Sequence, residues 1–92
     1  MPGDELQRRR RVVGAAIRQL RDAAGETQLE TAARVCLDQG FYRGLEAGRR
    51  DASLDMLFRI ADHFAVRPAV LLENVEASRG MDRRYRYTPS RF

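Results

Sequence analysis

The sequence predicts an all-α fold, a compact domain of five short helices followed by a basic C-terminal tail. Three observations support it. Apolar residues recur at spacings of three and four with no convincing two-residue alternation, helix-start signals precede successive apolar runs, and Gly25, Gly48 and Pro68 stand where such runs stop or start. A length of 92 residues allows one small domain, whose core is marginal unless tightly packed or shared with a second copy.

Asp4, with Gln7 three residues later, is read as the cap of a first helix whose buried stripe is Leu6, Val13, Ile17, Leu20 and Ala24, and which Gly25 stops. Thr27 and Glu30 form a capping box for a second helix from Gln28, with Ala32, Ala33 and Val35 inward. A tight turn through Cys36 and Leu37 leads to Asp38, the cap of a third helix. Phe41, Tyr42 and Leu45 lie on one of its sides, and Gly48 supplies its left-handed end. Ser53 caps a fourth helix with Asp55 in its first turn and Leu54, Leu57, Ile60, Ala61 and Phe64 on its inner face. Pro68 opens a fifth helix carrying Val70, Leu71 and Leu72, which fades near Asn74. The chain then divides into residues 1–11, a basic arm or the start of the first helix; 12–74, the helical domain; and 75–92, a basic and aromatic tail, either disordered or dimer-forming.

The formal charge is +4, and all 17 basic residues are arginine. The arginine fork suits phosphates and guanine edges, yet a GC-rich coding sequence yields the same bias, so only the positions of the arginines argue function. One cysteine excludes an intrachain disulfide, and no Cys or His pair has metal-ligand spacing, so no metal or cofactor is expected. No apolar run is long enough to cross a membrane, and MPGDELQRRRR lacks the apolar stretch of a signal peptide. The expected location is the reducing cytoplasm, at the nucleoid. No nucleophile signature or phosphate loop is present, so the chain is not expected to be an enzyme.

The segments IRQLRDAAGETQ, LEAGRR and SLDMLFRIADHFAV, in that order and separation, resemble the Xre, or Cro/C1-type (lambda-repressor-like), helix-turn-helix family of bacterial and phage regulators. The resemblance runs roughly from Val13 to Leu72. It implies a transcriptional regulator that reads double-stranded DNA in the major groove with the helix at about 38–47. It further implies a homodimer, paired through the fifth helix and the C-terminal segment, on a palindrome-like operator. The family includes phage repressors, restriction-modification controllers and some antitoxins. A protein-interaction module on the same fold, an antitoxin-like binder of a protein partner with weak or lost base readout, is the alternative. The chain departs from the family pattern at Thr31, Cys36 and Ala52, where a core leucine, the turn glycine and a proline are usual. Either Cys36 tolerates a positive φ or the turn is built differently. The Thr31 hydroxyl can bond back to a carbonyl one turn earlier, so burial there need not leave it unsatisfied.

A recognition helix in the major groove presents its first turn and the same face one turn later, here Gln39, Gly40, Arg43 and Gly44. Gln39 suits adenine and Arg43 suits guanine; the bland alternative has Gln39 solvating the helix start and Arg43 on a phosphate. The two glycines either let the backbone approach the groove or mark a relaxed reader. Phosphate contacts are assigned to Gln28, Arg49 and Arg50 and, within the run Arg8 to Arg11, to Arg10 and Arg11, although such a run also serves as a solvated face. The resemblance implies a scaffold pair between Glu46 and Arg21. His63 is read as an ordinary surface or edge residue, and neither it nor Cys36 has a partner in sequence that would make it chemically active.

Overall fold

Among the described residues, four α-helices and one 3-10 turn stand where five helices were expected. The computed structural model describes residues 2–73 and 75. Within them lie α1 (Pro2–Ala23), α2 (Gln28–Arg34), α3 (Gln39–Glu46), α4 (Leu54–His63) and a 3-10 turn at Pro68–Leu71. No strand occurs among the described residues, and none of these helices is long and apolar enough to cross a membrane. Over Pro68–Leu71 the expected fifth helix is a 3-10 turn. Pro68 lacks an amide, and three-residue bonds such as Leu72 N–H to the Ala69 carbonyl, 3.0 Å, close the turn instead. The turn still delivers Leu71, fully buried, to the core. The C-terminal tail assigned to residues 75–92 lies, apart from Val75, outside the described residues.

The first helix begins at Pro2 rather than at an Asp4 cap. Proline suits a first turn, and Asp4 and Glu5 there complement the exposed amides. The arginine run is therefore inside α1. The core joins Ile17 of α1, Ala32 and Val35 of the α2 end, Tyr42 and Leu45 of α3, Ile60 and Ala61 of α4, and Leu71. Four positions expected to face inward are exposed instead: Leu6, Ala24, Ala33 and Leu54. Each sits at or near a helix end or on the margin of its stripe. Gly14, by contrast, sets how closely α1 lies on α3. A Cβ there would fall on the backbone carbonyl oxygens of Leu45 and Glu46, so the helices cross backbone to backbone.

All four helices end the same way. The residue after the C-cap is left-handed, and paired backbone bonds return to the last turn: Gly25 after α1, Cys36 after α2, Gly48 after α3 and Ala65 after α4. Cys36 (φ 59°) and Ala65 (φ 57°) hold this conformation with a Cβ, which settles the two possibilities for the turn in favour of a tolerated positive φ. The strain at Cys36 is offset from outside: Arg59 of α4 donates through its Nη1 to the Val35 and Cys36 carbonyls at 2.9 and 3.1 Å. These are carbonyls that a helix end leaves without intrahelical partners.

A second tie crosses the scaffold at Glu26, between α1 and α2. Its carboxylate accepts from the buried Thr31 hydroxyl at 2.7 Å, from His63 Nε2 of α4 at 2.8 Å and from Arg34 at 2.8 Å. Thr31 thus bonds to a carboxylate rather than to a carbonyl of its own helix, and His63 is a structural strut instead of an ordinary surface residue. The hydrogen bonds from Thr31 and His63 outweigh a smaller opposing effect of burial and, with Arg34, hold the Glu26 carboxyl down to about 2 from its ordinary 4.5.

Replacing Cys36 or Ala65 by glycine relieves the left-handed strain at the cost of a looser unfolded chain, and each change is expected to stabilise the fold by about 0.5 to 1 kcal/mol in denaturant titrations. No gain, or a loss, at both sites would contradict this account. Glu26, with a folded pKa below its unfolded one, contributes stability that is complete above 4.5 and is lost as pH falls toward 2. Glu26→Gln is therefore expected to lower the denaturation midpoint at neutral pH, with the gap to the native protein closing between pH 4.5 and 2; a gap independent of pH would refute the linkage.

Candidate nucleic-acid interface

The surface formed by α3 and the ends of its neighbours is built from two short helices with fixed starts. Thr27 caps α2 through the complete capping box with Glu30, and the Asp38 carboxylate accepts from the Phe41 amide at 3.0 Å to start α3. Tyr42 and Leu45 are buried in the core on the side of α3 that packs against α1 and α2. The other side carries Gln39, Gly40 and Arg43, of which Gly40 and Arg43 are exposed and Gln39 is half-buried. Arg49 and Arg50, both exposed, follow immediately past the Gly48 reversal.

What fixes the orientation of α3 is Glu46. Its side chain is 3% exposed and takes a bidentate pair from Arg21 of α1, Nε at 2.7 Å and Nη2 at 3.1 Å. The Tyr42 hydroxyl and Gln28 Nε2, the latter at 3.0 Å, donate to the same carboxylate. Burial pushes the Glu46 carboxyl up, but the hydrogen bonds from Arg21, Tyr42 and Gln28 prevail and hold it below the usual carboxylate range. Burial, with the bond to Glu46, drives the Tyr42 phenol far above its ordinary value, so it remains a donor. Arg21 also donates to the Glu26 carbonyl at 2.8 Å, which links this junction to the other tie.

The residues singled out in the sequence fall into separate places. Gln28 is held at the start of α2 by Glu46. Arg10 turns to Asp51 and pairs with it bidentately at 2.6 and 3.0 Å, an engagement the sequence reading did not include. Arg11 is exposed, and its stem lies against Gly48, where a Cβ would stand 2.7 Å from Arg11 Cγ. Gly44 is buried: the stem of Arg50 covers it, so it presents no open surface. Gly40 is open, with only the Asp38 carboxylate near its missing Cβ.

Several contributors had no visible signal in the sequence. The Gln7 side chain donates to the Gly48 carbonyl at 2.9 Å, and with Arg10 and Asp51 it straps the start of α1 to the loop that carries Arg49 and Arg50. Phe41, expected only as a core residue, also lies under the Arg50 guanidinium, 5.6 Å from its ring centroid. Both depend on contacts between residues distant in the chain or across a turn, which spacing does not reveal.

Comparison with known proteins agrees with this geometry. A family profile described as helix-turn-helix matches residues 17–71. Among solved structures, the restriction-modification controller protein C.AhdI from Aeromonas hydrophila is 31% identical, with a TM-score of 0.65 over 67% of this chain and 94% of that one. The clp gene regulator ClgR from Corynebacterium glutamicum is 27% identical, with a TM-score of 0.70 over 82% of this chain and 80% of that one. No curated protein matches at a significant level.

Arg21→Met is expected to strand the Glu46 charge and cost about 3 to 5 kcal/mol of folding stability, measured by denaturant unfolding. A loss below 1 kcal/mol would mean that the junction is not what holds α3.

Proposed function

The chain belongs to the Cro/C1-type helix-turn-helix family, and on that premise we propose that it is a DNA-binding transcriptional regulator that reads the major groove with α3. The observation that carries this reading is the contrast between the two sides of α3. One side is locked to α1 and α2 through Glu46, and the other leaves Gly40 and Arg43 exposed, with Gln39 half-buried, beside Arg49 and Arg50. A charged, planar donor at Arg43 and an amide at Gln39 are the groups that pair bidentately with guanine and adenine edges, at about 1 to 3 kcal/mol of discrimination each.

Arg49 and Arg50 act on phosphates and set the position of the helix, with Gln28 and Arg11 as flanking contacts. Arg10 contributes through Asp51, by holding the loop, more than through its own charge. The regulator acts as a homodimer, each copy placing one α3 in successive major grooves of a palindrome-like operator whose half-sites lie about 34 to 36 Å apart. Leu72, just past the 3-10 turn and 45% exposed, supports pairing through that segment.

Selection of bound fragments from a genomic library is expected to enrich paired half-sites about one helical turn apart. Arg43→Ala then relaxes base preference at one position per half-site, whereas Arg49→Ala weakens binding to all sequences and lowers the salt slope by about 1. Single half-sites would exclude the dimer, and identical effects of the two substitutions would exclude the division between reader and anchor.

A further inference from the structure

We propose that Gly44 and Phe41 form a seat for Arg50, which holds its guanidinium ready for a DNA phosphate, so that Gly44 serves binding through Arg50 without touching DNA. The proposal rests on the DNA-binding reading above and removes Gly44 from the base-contacting set. Glycine is unfavourable inside a helix, and α3 has only eight residues, so two glycines need two reasons. For Gly44 the reason lies within the chain. A Cβ built there would stand 2.6 Å from Arg50 Cγ and 3.7 Å from its Cβ and Cδ, so the arginine stem occupies the place a side chain at 44 would take. Gly40 has no such neighbour; only the Asp38 carboxylate approaches, at 3.2 Å.

The stem is brought there by the end of α3. The Arg49 amide returns to the Gly44 carbonyl at 2.8 Å across the left-handed Gly48, which folds residues 49 and 50 back along the helix. From Gly44 the side chain runs toward Phe41, three residues earlier and a neighbour on the helix surface, and its guanidinium lies 5.6 Å above that ring. Arg50 is nonetheless exposed, so its charged end remains open to a ligand while its stem is confined. A long side chain already confined loses less freedom on binding than one that must be ordered at that moment. The seat lies on the margin of the exposed α3 face, beside the groove-reading residues and not among them, which suits a backbone phosphate over a base edge.

The test is a double-substitution cycle with Gly44→Ala and Arg50→Ala, read both by thermal melting and by anisotropy titration of a random-sequence duplex at low salt, since a phosphate contact is independent of sequence. Helix preference for alanine opposes the cost of displacing the Arg50 stem, so Gly44→Ala is expected to leave the protein folded, and to raise the melting temperature only in the Arg50→Ala background, while weakening binding about 5- to 10-fold, comparable to Arg50→Ala. In the Arg50→Ala background the glycine substitution should leave binding unchanged, and Phe41→Leu should repeat part of the loss only when Arg50 is present. An equal loss from Gly44→Ala in both backgrounds, or no loss in either, overturns the seat. Failure of the DNA-binding reading is distinct, because the native protein would then bind no duplex at low salt, and the phosphate contact would fall with it.

Discussion

The structure depends on one buried carboxylate. Glu46 gathers Arg21 from α1, Gln28 from α2 and Tyr42 from its own helix, and these are the three helices whose relative orientation decides what α3 can reach. A buried ion pair of this kind is weak evidence for stability, because desolvation offsets much of the attraction. Its value is directional. A bidentate guanidinium fixes distance and plane together, and two further donors leave the carboxylate no alternative partner, so α3 can be placed in only one way on α1. An apolar substitute of equal volume would fill the space without specifying the angle.

Around that junction the chain is arranged in turns too short to adjust. Each helix closes with a left-handed residue and paired returns to its last turn, so the direction of every connection is set by local hydrogen bonding. Cys36 shows what the arrangement demands. The conformation is kept even where the residue disfavours it, with Arg59 from α4 binding the freed carbonyls. The α2 to α3 turn is thereby fixed from two sides, by its own backbone and by the fourth helix. Glu26 adds a tie from the α1 to α2 loop to His63 of α4. Rigid placement of this kind is what a reader of groove edges requires, since hydrogen bonds to bases tolerate little error in position.

Much of this was legible in the sequence, and the limit has a physical basis. Caps at Thr27, Asp38 and Ser53 and the reversals at Gly25 and Gly48 are local, and local chemistry fixed α2, α3 and α4 closely. The fifth helix was not legible, because the same apolar spacing suits a 3-10 turn and the choice depends on how Leu71 reaches the core. Burial of Leu54 or Ala33 was misread for a related reason: spacing names a stripe but not its width or the neighbour that covers it. Arg10 looked like a free cation since Asp51 lies 41 residues away, and nothing in sequence links them. Gly44 looked like groove surface until the return of the chain after Gly48 brought Arg50 over it.

The distribution of arginines follows from the same logic. A chain whose basic residues are all arginine invites a reading from net charge alone, but several of the charges are paired within the chain. Arg21 serves Glu46, Arg10 serves Asp51, Arg34 serves Glu26, and Arg59 serves Asp55 and the turn carbonyls. Each of these pairs contributes no net charge beyond its own neighbourhood, and in water such a pair adds little to the field at a distance. Arg43, Arg49 and Arg50 remain exposed on or beside α3, while the acidic residue within that helix, Glu46, is buried and compensated. Three exposed arginines thus stand together at the uncovered side of the helix. It is this placement, produced by pairing elsewhere in the fold, that turns a modest excess of positive charge into a surface suited to a polyanion.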